Sequence, residues 1–133
     1  MSARFEPWSR VTAEVVDKGS LFTPEIRAEI DGEIAKYPAE WRQSACMAAL
    51  RIVQEDNGGW LTQQLMDDVA AYLDMPNIAV YEVATFYSMY ELKPVGRHKV
   101  CVCTNVSCMI NGSDRIVDHL EKKLDVKLGG TSA

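Results

Sequence analysis

The sequence predicts an α+β chain that is mostly α, with a helical bundle over residues 1–92 followed by a β–loop–α unit over residues 93–133. Three observations carry this. Apolar residues recur at helical spacing in successive segments between Thr23 and Ser88. Start and stop signals bracket those segments. Beyond Lys93-Pro94-Val95-Gly96 the character changes, and a short β-branched run leads through a loop into one last amphipathic helix.

Residues 1–22 show no clear period and read as a partly docked tail, with Phe5, Trp8, Leu21 and Phe22 among polar residues. The first helix starts at Thr23-Pro24-Glu25. Thr23 can cap free N–H groups, Pro24 suits the first helical position and Glu25 complements the dipole. Ile26, Ile30 and Ile34 form its stripe, Tyr37 follows three residues on, and Pro38 ends it. A second helix is expected over 39–56, with Trp41, Ala45, Ala48, Ala49, Ile52 and Val53 near one face. Asn57-Gly58-Gly59 stops it, because these residues tolerate the left-handed turn at a helix C-terminus. Thr62 caps a third helix carrying Leu65, Val69, Tyr72 and Leu73, closed by Asp74-Met75-Pro76.

The segment 77–88 is apolar on most sides, and periodicity leaves a buried helix and a strand both open. Tyr81 is assigned to the core, and Phe86, Tyr87 and Tyr90 are expected inside the bundle rather than on a docking surface. The run 99–103 reads as a strand, 104–108 as a loop, and a last helix begins near Ser107 or Gly112 and runs to Lys123. Ile116, Val117, Leu120 and Leu124 share one of its faces. Val126-Lys127-Leu128 is a possible start of a further strand. One strand leaves its backbone N–H and C=O groups without a ladder, so the second unit resembles the opening part of a larger sheet.

Composition narrows the function. Apolar residues make up 47% and charged residues 25%, which suits a globular protein. A net charge of −5 with no basic face argues against nucleic-acid binding. No apolar run approaches the roughly 20 residues of a membrane-spanning helix, so no direct membrane insertion is expected. The first ten residues, MSARFEPWSR, lack the apolar stretch of a secretory signal, and a reducing compartment follows as the expectation. The four cysteines are therefore read as core, metal-binding or redox groups rather than as disulfides. No glycine-rich phosphate loop, Gly-x-Ser-x-Gly or His-Glu-x-x-His is present, and nothing assembles a self-contained catalytic site.

Cys103 and Cys108 lie where the expected strand gives way to a helix. A loop there can turn several N–H groups inward, and these stabilise thiolate, the form that binds metal. An iron–sulfur cluster also takes N–H donors toward its sulfurs. Packed or incidental cysteines remain the alternative on spacing alone. Cys101 and Cys46 read as core residues, and His98 and His119 as solvated. A zinc site built on Cys101, Cys103 and Cys108 lacks a fourth ligand nearby.

With that pair in place, several stretches together resemble a known family: Lys36-Tyr37-Pro38, Asn57-Gly58-Gly59-Trp60-Leu61, Val80-Tyr81-Glu82-Val83-Ala84-Thr85-Phe86-Tyr87, Leu92-Lys93-Pro94-Val95-Gly96 and Val102-Cys103-Thr104-Asn105-Val106-Ser107-Cys108. They are similar to the thioredoxin-like [2Fe-2S] subunit family of respiratory complex I, that is, the E subunit of NADH-quinone oxidoreductase and its mitochondrial counterpart. Diaphorase subunits of NAD-linked hydrogenases and formate dehydrogenases share much of the pattern.

The resemblance implies a helical bundle followed by a thioredoxin-like domain that holds a [2Fe-2S] cluster through four cysteines. Cys103 and Cys108 match the first pair of ligands. It implies electron acceptance from reduced flavin and docking on the FMN/NADH-binding subunit, which alone carries FMN and NADH. Contacts with other peripheral-arm subunits are also implied, at a cytoplasmic location peripheral to the inner membrane. In the family a second cysteine pair follows after two more strands, and this sequence stops before it. The expectation is a C-terminally truncated form whose chain alone binds no stable cluster. The reading from a different functional class is a non-redox helical interaction module.

Overall fold

The computed structural model describes residues 21–131. The tail read into residues 1–20 lies outside these described residues. Within them the chain divides between Pro94 and Val95 into two compact units.

The first unit contains α1 (Pro24–Ile34), a 3-10 helix (Ala39–Ala45), α2 (Cys46–Asp56), α3 (Gln63–Leu73) and α4 (Asn77–Phe86). The starts follow their caps. Thr23 Oγ1 accepts from the Ile26 N–H at 3.4 Å, and Thr62 Oγ1 accepts from the Leu65 N–H at 3.1 Å. α2 ends as its Asn-Gly-Gly signal demands. Gly58 and Gly59 take φ of 72° and 95°, and the Gly59 N–H reaches back to the Gln54 carbonyl at 2.8 Å. α3 ends the same way on a non-glycine residue. Asp74 adopts φ 55°, and the Met75 N–H donates to the Ala70 carbonyl at 2.9 Å.

The core forms where the stripes meet. Ile26 and Ile30 from α1, Ala49, Leu50, Ile52 and Val53 from α2, Met66, Val69, Ala70 and Leu73 from α3, and Val80 and Ala84 from α4 are all buried. α1 packs on α2 and on the 3-10 helix, α3 on α2 and α4. Tyr72 ties three elements together. Its ring meets Phe22 edge to face, the Arg42 guanidinium stacks over it, and its hydroxyl donates to Asp31 at 2.9 Å. Gln54 fastens the return of the chain after α4. It donates to the Met89 carbonyl at 3.1 Å and accepts from the Glu91 N–H at 2.8 Å.

Several expectations are corrected. The helix expected over 39–56 is broken: its first seven residues are a 3-10 helix, with Trp41 off helical geometry at φ −111°, and Trp41 is exposed. α1 ends at Ile34, so Tyr37 lies beyond the stripe and is exposed. The ambiguous segment is the helix α4, long enough to bury Ala79, Val80 and Ala84 on one side. Tyr81 packs partly buried against the core. Tyr90 is buried, its hydroxyl donating to the Met47 carbonyl at 2.9 Å, but Phe86 is 80% exposed and Tyr87 is exposed as well. α4 ends at Phe86, so neither ring falls on its buried face.

The second unit contains α5 (Val106–Ile110) and α6 (Ser113–Leu124). The expected strand over 99–103 is absent, and no strand occurs among the described residues. The physical reason was visible in the single run itself: an extended segment without a neighbour makes no ladder. Residues 126–128 likewise form no strand. They fold back in a turn closed by the Gly130 N–H on the Lys127 carbonyl at 2.8 Å, with Gly129 at φ 77°. The last helix starts at the later of its two expected positions, with Gly112 as the cap of α6, and the stretch 104–108 read as a loop instead leads into α5, which Gly112 at φ 93° separates from α6. Ile116 and Leu124 on its apolar side are exposed.

Candidate functional site

Asn105 organises the loop that carries the cysteines. It is the N-cap of α5, and its Oδ1 accepts from the Val106 N–H at 2.8 Å. Cys108 is the third residue of that helix. Side chains of a first turn tilt toward the helix N-terminus, and Cys103 sits two residues before the cap. The spacing therefore folds both thiols to one place. The two thiols influence one another's acidity, and the backbone N–H of Asn105 influences that of Cys103.

This asymmetry sets their acidities. The Asn105 N–H, with the Cys108 S–H behind it, lowers the Cys103 thiol from its ordinary value. Cys108, donating to Cys103 and facing its developing charge, is raised. Cys103 is thus the readier thiolate of the two. It is exposed and Cys108 is half-buried, so an external partner can reach the pair.

The remaining sequence candidates lie elsewhere or stand alone. Cys46 is buried in the bundle, where burial pushes its thiol up to about 11. Cys101 is exposed, against the expectation of a core position, because the strand that was to bury it does not form. His98 and His119 are exposed, as expected of solvated residues. Among the described residues no three His, Cys, Asp or Glu side chains gather where they could hold a metal ion. For the cluster that the resemblance implies, the pair fits two thiolate positions and supplies an N–H donor beside one of them. It does not make a complete ligand set.

Asn105 is the residue that spacing rules passed over. The signal was available, since Asn directly before Val-Ser-Cys is a favoured N-cap. On the other flank, the Asn111 side chain donates to the Ser107 carbonyl at 2.7 Å, closing the far end of the short helix.

Comparisons with known proteins place the chain. The family of the thioredoxin-like [2Fe-2S] ferredoxin matches residues 30–133. The E subunit of NADH-quinone oxidoreductase from Rickettsia conorii is 48% identical over 124 residues, covering 93% of this chain and 71% of that protein. The same subunit from Rickettsia felis is 46% identical over 99 residues, covering 74% of this chain and 59% of that protein. The mitochondrial NADH dehydrogenase [ubiquinone] flavoprotein 2 of Dictyostelium discoideum is 37% identical over 111 residues, with 84% of this chain and 45% of that protein covered. The chain thus spans about half to seven tenths of the length of these relatives. A match over most of the chain, running through both the bundle and the paired cysteines, makes it a member of the thioredoxin-like [2Fe-2S] ferredoxin family, alongside these NADH-quinone oxidoreductase relatives.

Proposed function

We propose that the chain serves as the iron–sulfur electron-transfer subunit of an NADH-quinone oxidoreductase, or as most of that subunit. In this reading residues 93–133 are the opening part of the thioredoxin-like domain, and residues 1–92 are a helical bundle that docks on the FMN/NADH-binding subunit. Cys103 and Cys108 supply two ligands of a [2Fe-2S] cluster, and the other two come from outside this pair. The single observation behind the reading is the family match over residues 30–133, which takes in Cys103 and Cys108 at the start of α5.

When bound, such a cluster carries one electron at a time. The chain's own residues do the rest. Cys103 offers a thiolate favoured by a backbone N–H, and α5 holds Cys108 beside it. The Asn105 N–H then remains aimed at a ligand sulfur, where it favours the more negative state. Other peripheral-arm subunits, and the equivalent hydrogenase or formate dehydrogenase assemblies, are further partners this surface would suit.

One observation favours an assembly role alongside the redox one. At the C-terminal end of α4, Phe86 and Tyr87 line a shallow groove with Glu82, Val83 and Thr85, and both rings are exposed. Exposed aromatic rings in such a groove are the kind of anchor a partner protein buries.

The two roles separate in one experiment. The Cys103→Ser, Cys108→Ser double variant is expressed with the flavin subunit and compared with the parent chain. Capture of the flavin subunit is expected to persist, while the electron paramagnetic resonance signal of a reduced cluster disappears. Unchanged electron transfer and an unchanged signal in the double variant would overturn the ligand assignment and leave the interaction module standing.

A further inference from the structure

The sequence holds two Asn-Gly steps, Asn57-Gly58 and Asn111-Gly112. Such a step is chemically labile: the glycine nitrogen can attack the Asn side-chain carbonyl, and glycine leaves that approach open because it has no Cβ. The structure gives the two steps opposite settings. Asn57 closes α2 inside the bundle. Its side chain donates to the Trp60 carbonyl at 2.9 Å, and the Leu61 just beyond is buried, with its N–H on the Glu91 carbonyl at 2.7 Å. Apart from its chain neighbours, a Cβ placed on Gly58 would meet nothing within 4 Å.

Asn111 is exposed at the end of α5, a helix of five residues with no buried side chain. Its side chain donates to the Ser107 carbonyl at 2.7 Å, and the Gly112 N–H donates to the Met109 carbonyl at 2.9 Å. Both bonds end on α5, and a helix this short opens at little cost. The Arg115 guanidinium also lies against Gly112. A Cβ placed on Gly112 would fall 2.8 Å from its Nη2 and 3.1 Å from its Nε. A cation there favours negative charge on the Gly112 nitrogen and on the oxygen of the addition intermediate.

We propose that Asn111 is a site of spontaneous deamidation in the folded chain, assisted by the Arg115 guanidinium, and that Asn57 is protected. Hydroxide takes the Gly112 N–H proton, and the nitrogen attacks the Asn111 Cγ. A new C–N bond forms, the Cγ–Nδ2 bond breaks, and Nδ2 leaves as ammonia with a proton from water. One water then opens the cyclic imide. Opening at one carbonyl gives aspartate, and opening at the other gives isoaspartate, whose main chain runs through the side-chain carbon. Nothing is oxidised or reduced. Either product ends the bond from the residue 111 side chain to the Ser107 carbonyl and sets a carboxylate near Arg115. α5 then loses a bond that closes its end, and Cys108 a support. What this does to a bound cluster rests on the reading of Cys108 as a ligand; the hydrolysis itself does not.

The test uses the whole 133-residue chain, incubated at mildly alkaline pH in water enriched in heavy oxygen, once folded and once in denaturant. Tryptic peptides 100–115 and 52–97 report the two steps, and fragmentation locates the incorporated oxygen. In the folded chain residue 111 is expected to turn acidic faster than residue 57 by about tenfold or more, whereas in denaturant the two rates should draw together. Equal folded rates at the two steps, or a faster rate at residue 57, would overturn the site.

A second arm isolates the guanidinium. Arg115→Gln, followed on tryptic peptide 100–122, should slow the folded rate at residue 111 several-fold and leave the rate in denaturant unchanged. Arg115→Lys, which keeps the charge, should recover most of the loss. A folded rate in Arg115→Gln that is unchanged or higher would overturn the part given to Arg115.

Discussion

Cys46 shows how much one side chain can say about its surroundings. It opens α2 facing the core, and burial holds its thiol near 11 against an ordinary value of 9.0. Below pH 9 the thiol is neutral whether the chain is folded or not, and the stability it contributes is complete. Between about 9 and 11 the unfolded chain sheds the proton while the folded chain keeps it, so stability falls as pH rises. The loss comes to about 2 to 3 kcal/mol across that window. Denaturant unfolding of the parent and of Cys46→Ala should therefore differ by less at about pH 11 than at about pH 8. A constant difference would show that the thiol is not sealed from water. The burial of this cysteine could be read from its place beside Ala45 and Met47 in an apolar helix. The roles of Gln54 and Asn105 could not, because a search for apolar periods is blind to polar side chains whose value lies in what they bond. Asp68 is the extreme case. An aspartate contributes nothing to an apolar period, yet this one is buried and accepts from Gln64 at 3.2 Å.

At the scale of the element, ends were more legible than middles. Thr23, Thr62 and the Asn57-Gly58-Gly59 stop each act as their chemistry demands, because a cap is a local interaction that needs nothing distant. The 3-10 stretch before α2 was not legible, since apolar spacing does not distinguish a tight turn of helix from a regular one. Nor was the fate of residues 99–103, because strand residues make a strand only beside another. The caps make a quantitative prediction. Thr62→Ala removes the acceptor for the Leu65 N–H at the start of α3, which packs on both α2 and α4. It should lower unfolding free energy by about 1 kcal/mol, whereas Thr62→Ser should recover most of that. Both are measured by denaturant titration followed through helical circular dichroism. Equal destabilisation by Ser and Ala would mean that the methyl group, not the hydroxyl, is what matters there.

At the scale of the whole molecule, the two units differ in what burial gives them. Residues 21–94 bury a continuous set of apolar side chains from four α-helices. Among the described residues beyond Pro94, Ser113 is buried and no apolar side chain is, while Val100, Val106, Ile110, Ile116 and Leu128 all face outward. Backbone amides resist exchange in proportion to the free energy of opening them, and that energy comes chiefly from buried apolar surface. Native-state hydrogen exchange on this chain should therefore find its slowest amides at Ala49, Leu50, Val69, Ala70 and Val80. The amides of α5 and α6 should exchange orders of magnitude faster, at rates set by local helix opening. Loading of the site at Cys103 and Cys108 would slow the α5 amides first, because bound metal stabilises the folded form of the segment that ligates it. Protection in α6 equal to that in α3, with no metal present, would show that the second unit has a source of stability other than buried apolar side chains.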